Sequence, residues 1–71
     1  MSGNKEIGNR LRKLRKEDGL KQADIAEMLD ITPAGYGKYE NGERDLSTAY
    51  VVDLAELYGV SCDYILRGKI C

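Results

Sequence analysis

The feature that most constrains this chain is how often it is punctuated by helix stops and starts, which leaves no room for a long element. Gly19, Asp30-Ile31-Thr32 followed by Pro33, Asn41-Gly42, Gly59 and Gly68 interrupt it, while Thr32, Ser47 and Ser61 are residue types that cap helix N-termini. Five short stretches of helical period lie between these marks. From about Lys5 to Asp18, Ile7, Leu11 and Leu14 recur at i, i+4 and i+7. Gln22 to Leu29 carries Ile25, Ala26 and Leu29 on one face. Pro33 reads as the first residue of a third helix, which runs through the inward-facing Tyr36 and Tyr39 to Glu40. Ser47 opens a fourth with Val51, Leu54, Ala55 and Tyr58 inward, and Ser61 a short fifth with Tyr64, Ile65 and Leu66. No segment alternates polar and apolar residues long enough to argue a strand, so the fold class is all-α.

The 71 residues have room for one small domain, read as 1–71 with a core from about 5 to 68, and for no separate catalytic or regulatory domain. A chain this short buries only about 60% of its unfolded surface. There is no His, no phosphate-binding glycine loop and no pair of metal ligands, and a bundle of this size has little room to exclude water around a reaction. The expectation is therefore a protein that is not an enzyme, with no metal, no cofactor and no small-molecule substrate. Two cysteines without histidine do not make a common four-ligand zinc site. Cys62, in an apolar segment, reads as a small core residue, and Cys71 as an inert mobile terminus rather than a redox handle. No apolar run approaches the roughly 18 residues of a bilayer span, and Met1-Ser2-Gly3-Asn4-Lys5-Glu6 lacks a signal-peptide pattern, so the reading is cytoplasmic with no membrane partner.

Charge is neutral on average and segregated along the chain. Met1 to Lys21 holds seven Lys/Arg and three acids, while Gln22 onward holds four and nine. On a helical wheel Lys5, Asn9, Arg12, Lys13 and Lys16 fall opposite the apolar face of the first helix. This stripe is compatible with an ordinary solvated face and with a surface offered to phosphates.

Two helices of about eight residues joined by a short turn have the dimensions of a helix-turn-helix. Three segments in order, Gly19-Leu20-Lys21-Gln22-Ala23-Asp24-Ile25-Ala26, Lys38-Tyr39-Glu40-Asn41-Gly42 and Tyr58-Gly59-Val60-Ser61-Cys62-Asp63-Tyr64-Ile65-Leu66, closely resemble the Cro and lambda-repressor-like (XRE-type) helix-turn-helix family over roughly Ile7 to Gly68. That resemblance implies a compact five-helix bundle whose third helix enters the DNA major groove. It also implies a sequence-specific transcriptional regulator of the repressor kind, a homodimer on a palindromic operator.

The resemblance assigns base or groove contacts to Gln22, Thr32, Pro33, Ala34, Gly37 and Lys38. Lys21 stands at the N-cap of the second helix, where the family often has Ser or Asn, and reads as a phosphate contact, as do Arg44 and the backbone near Asn41. Of the positions on the third helix only Lys38 has the reach for bidentate readout, so modest base specificity is expected, supplemented by DNA shape. Gly35 and Gly37 each cost a helix about 1 kcal/mol relative to Ala. Arg15, at the edge of the apolar face, matches the family arginine that pairs with Glu40, and the two are assigned to a partly buried ion pair. Asp30 stands where the family often has glycine, at a turn that needs positive φ. Tyr64 and Ile65, with Ile70, match the two-fold interface of relatives, although Ile65 also fits the core. Glu43 and Asp45 stand where the family often carries basic residues, which lowers the expected affinity. With a net charge of −1, this keeps open a second reading, a helix-turn-helix-derived module for a protein partner with little DNA readout.

Overall fold

A computed structural model describes residues 3–68 of the chain; Ile70 and Cys71 lie outside them. Five helices follow one another: α1 (Asn4–Glu17), α2 (Gln22–Leu29), α3 (Pro33–Glu40), α4 (Thr48–Tyr58) and α5 (Cys62–Arg67), with no strand among the described residues. The boundaries fall within a residue of those read from the caps, because the caps are local. Thr32 Oγ1 accepts from the Gly35 N–H at 3.0 Å, and Ser47 and Ser61 serve Tyr50 and Tyr64 in the same way.

The C-termini repeat one solution. At the end of α2 the Ile31 N–H donates to the Ala26 carbonyl and the Asp30 N–H to that of Glu27, a six-residue turn that requires a left-handed residue between. Asp30 takes that position at φ +60, so the chain leaves α2 and enters α3 without a glycine. At the end of α3 Gly42 does the same at φ +78, and its backbone also packs against α1 so closely that a Cβ would lie 2.8 Å from Lys5 Cα.

Leu11 and Leu14 of α1, Ile25, Ala26 and Leu29 of α2, Tyr36 of α3, Leu54 and Ala55 of α4 and Ile65 of α5 form one core. Ala26 is buried, and Ile7, Tyr39 and Cys62 pack at the margin. Of the two readings of Ile65, full burial bears out the core and corrects the dimer surface: the short α5 turns this side chain into the core, while Tyr64 beside it is half-buried. Arg10 holds α5 in place by donating from Nε to the Ile65 carbonyl at 2.9 Å and from Nη2 to that of Leu66 at 3.0 Å, satisfying groups that a helix end leaves open. The backbone of α1 also comes close to the end of α3. Gly8 is buried there, with the Tyr39 carbonyl oxygen 2.6 Å from where a Cβ would stand.

Candidate nucleic-acid interface

The residues assigned to DNA fall into three groups, each positioned by a different element. Lys21 precedes α2 and is exposed; its side chain makes no cap, while its backbone N–H donates to Asp24 Oδ2 at 2.9 Å. Gln22 opens α2, and its side chain lies against α3, with Oε1 3.5 Å from the Cβ position of Gly37. Ala34 and Lys38 are exposed one turn apart on α3, with Pro33 at its first position and Thr32 capping it. Past the end of α3, Arg44 lies over the Tyr39 ring at 5.7 Å, and Tyr39 meets Tyr50 edge-on. Its Nη1 comes within 3.9 Å of the Cβ position of Gly35, so Arg44 flanks α3 rather than trailing away with the loop. Asn41 closes α3 and is exposed.

Beneath these groups sits one buried carboxylate. Glu40 is 1% exposed and accepts hydrogen bonds from Arg15 Nε at 2.7 Å, Arg15 Nη2 at 3.1 Å and Gln22 Nε2 at 3.0 Å, with Arg12 Nε further off at 3.5 Å. Burial pushes the Glu40 carboxyl up, but the hydrogen bonds from Arg15 and Gln22 more than offset that and hold it below its ordinary value. Arg15 also donates from Nη1 to the Leu20 carbonyl, tying the α1–α2 turn to the same centre. The Arg15–Glu40 ion pair is partly buried, as expected, with side-chain exposures of 11% and 0%. Nearby burial also pushes the Tyr58 phenol up to about 12.

Two of these links were not legible in the sequence. Arg12 belongs by wheel to the outer basic stripe with Lys5, Asn9, Lys13 and Lys16, which are indeed exposed. Its guanidinium instead reaches across to the end of α3, donating from Nη2 to Asn41 Oδ1 at 2.9 Å while staying partly exposed. The physical reason is that a buried carboxylate has more lone pairs than Arg15 alone can fill, and Arg12 has a stem long enough to reach it. Gln22, separated from Glu40 by 18 positions, has one amide N–H committed to it, which fixes the side chain at the mouth of the α2–α3 pair with a second N–H left over. Gly8 was also missed. Its signal was a glycine inside a strong helix, an unfavourable choice unless another backbone must come close.

Buried carboxylate, paired helices and exposed third helix together define the class: the chain belongs to the helix-turn-helix family, whose model matches residues 11–65. It is 41% identical over 62 residues to the SPbeta prophage-derived uncharacterized HTH-type transcriptional regulator YonR of Bacillus subtilis (strain 168), a match covering 87% of this chain and 57% of that protein. It is similarly 40% identical over 63 residues to the HTH-type transcriptional regulator ImmR of the same organism, covering 89% of this chain and 49% of that protein. The chain thus spans about half the length of these relatives. Among solved structures, the P22 c2 repressor in complex with a synthetic operator superposes with a TM-score of 0.80 at 25% identity, covering 89% of this chain and 96% of that one. The DNA-binding domain of BldD superposes at 0.74 with 30% identity, covering 93% and 99%.

Proposed function

We propose that this chain is a sequence-specific DNA-binding transcriptional regulator that works in the cytoplasm as a repressor, a homodimer on a palindromic operator with α3 in the major groove. The observation that carries the reading is the Glu40 centre, which anchors Gln22 at the start of α2 against the exposed third helix. Pre-setting a side chain at a helix N-terminus, where free N–H groups and the helix dipole favour an anion, suits a phosphate clamp. Lys21, Asn41 and Arg44 would complete the backbone contacts, with the Asn41 oxygen already occupied by Arg12 and its amide free to donate. Thr32, Pro33, Ala34, Gly37 and Lys38 would face the base edges. Thr32 already accepts the α3 cap bond and is too short for bidentate readout, which leaves Lys38 as the principal reader. The similarity to a repressor solved with an operator and to named transcriptional regulators supports this class of ligand.

Dimerisation would use the exposed part of Tyr64 at the start of α5 rather than Ile65. Half-sites would then be about 34–36 Å apart, one helical turn.

Selection from a random duplex pool at about 0.15 M salt tests the proposal. An enriched palindrome bound about a thousandfold tighter than scrambled DNA is the expected result. Against that winner Lys38→Ala should narrow the gap to scrambled DNA by about 1–3 kcal/mol, whereas Lys21→Ala should weaken both and lower the salt slope by about one. Equal losses on both sequences for Lys38→Ala would remove it from the reading face. No enrichment at all would count against DNA as the ligand.

A further inference from the structure

Two of the large hydrophobic side chains exposed among the described residues share one groove. Met28 on α2 is 43% exposed, and Val52 and Leu57 on α4 are 41% and 39% exposed. Met28 and Leu57 line an open groove of about 410 Å³, and the other two lining residues are Asp53 and Glu56. Asp24, exposed one turn before Met28, and Glu27, exposed beside it, extend the negative charge along α2. Neither α2 nor α4 contains a Lys or Arg. Two apolar side chains flanked by two carboxylates are unlike the basic and polar surface assigned to DNA, and the pair of acids would repel phosphates.

We infer that this groove between α2 and α4 is a docking site for a basic amphipathic helix of another protein, with apolar side chains seated between Met28 and Leu57 and Lys or Arg residues against Asp53, Glu56 and the acids of α2. The choice of occupant follows from charge and backbone. Both walls are helices and not strands, so an extended segment finds no sheet edge to pair with, while a helix arrives with its own hydrogen bonds made. A second copy meeting this face across a two-fold axis would set Asp53 and Glu56 against the same acids. Anionic lipid is disfavoured for the same reason. Met28 lies six positions beyond Gln22, about 9 Å along α2, so the groove and the α2 N-terminus can be occupied together. The partner would then be read by the DNA-bound protein, independently of which operator it occupies.

The test titrates the 15N-labelled full chain with two designed helical peptides of identical Leu pattern, one with Lys and one with Glu at every other position, at about 0.15 M salt. Expected are saturable shifts centred on Met28, Asp53, Glu56 and Leu57 with the Leu/Lys peptide, bound at least about tenfold tighter than the Leu/Glu one. Met28→Ser/Leu57→Ser leaves the net charge and the buried core untouched; it should weaken the peptide at least about tenfold while DNA affinity stays within about twofold. Asp53→Asn/Glu56→Gln should weaken it as well. Absence of saturable binding, equal binding of the two peptides, or shifts centred elsewhere would overturn the inference. Shifts at these four residues that grow with protein concentration alone would identify a second copy as the occupant and overturn it too.

Discussion

Glu40→Ala is expected to cost about 3–5 kcal/mol of folding stability, read from the urea midpoint, because it leaves Arg15 buried with no countercharge. A chain of this length has only about 4–10 kcal/mol in all, so the variant should be partly unfolded near room temperature. Most of the effect belongs to Arg15, whose side chain is 11% exposed and bonded to the carboxylate through two nitrogens. Arg12, 37% exposed and 3.5 Å away, contributes little, since solvent screens it. Replacing both partners by apolar residues, Arg15→Met with Glu40→Leu, should recover much of the loss by removing the uncompensated charge. A double variant no more stable than Glu40→Ala would show that the penalty lies in packing and not in the orphaned guanidinium. Either change also frees Gln22, so DNA affinity should fall even in the folded population.

The same carboxylate sets an acid limit. Its folded-state value lies below the ordinary 4.5, so the folded protein holds this group deprotonated where the unfolded chain begins to take up a proton. The stabilisation is fully present above the unfolded value and is lost as pH falls through the folded one. Stability measured from pH 7 downward should therefore begin to fall near pH 4.5 and continue below it, more steeply than in Glu40→Gln, which carries no such proton. Parallel pH profiles for the two proteins would remove Glu40 from this role.

Gly8→Ala carries the second large effect, and its sign opposes helix propensity. In an unobstructed helix the change should add about 1 kcal/mol. Here the new Cβ would meet the Tyr39 carbonyl oxygen at 2.6 Å, the Glu40 carbonyl carbon at 2.7 Å and the Glu40 carbonyl oxygen, all backbone atoms that cannot swing aside. Relief requires α1 to move off α3, an overpacking cost of about 1–3 kcal/mol or more, and the movement also disturbs the Arg15–Glu40 geometry. A net loss of about 2 kcal/mol is expected. Gly37→Ala is the internal control, because its Cβ would stand 3.5 Å from Gln22 Oε1, an ordinary contact with a side chain. That variant should gain up to about 1 kcal/mol, and a comparable gain for Gly8→Ala would show that the helices separate at no cost.

How much was legible follows from how far each determinant reaches. The five helices were readable because their caps and stops act over four to six residues: Thr32, Ser47 and Ser61 bond to N–H groups three positions on, and Asp30 and Gly42 take the left-handed turn. The resemblance paired Arg15 with Glu40, and the structure brings them together. Ile65 carries two readings in the sequence, a dimer surface from the resemblance and a place in the core, because periodicity on a six-residue helix defines no face; its burial among side chains of the other helices gives the core. Arg12 was placed on the outer stripe because a wheel locates a Cβ and not the end of a long, flexible side chain.

By itself, then, the sequence determined the helices and their order, since propensity, capping and hydrophobic period are local properties of the chain, while the helix-turn-helix class came from the resemblance of three segments to a known family. Only the tertiary structure decided that Gln22, Arg12 and Arg15 converge on one carboxylate, that Gly8 lets α1 touch the end of α3, and that Met28 and Leu57 share an acidic groove. Those facts depend on the distance and angle at which helices cross, and packing of the whole core sets these to within a fraction of an ångström.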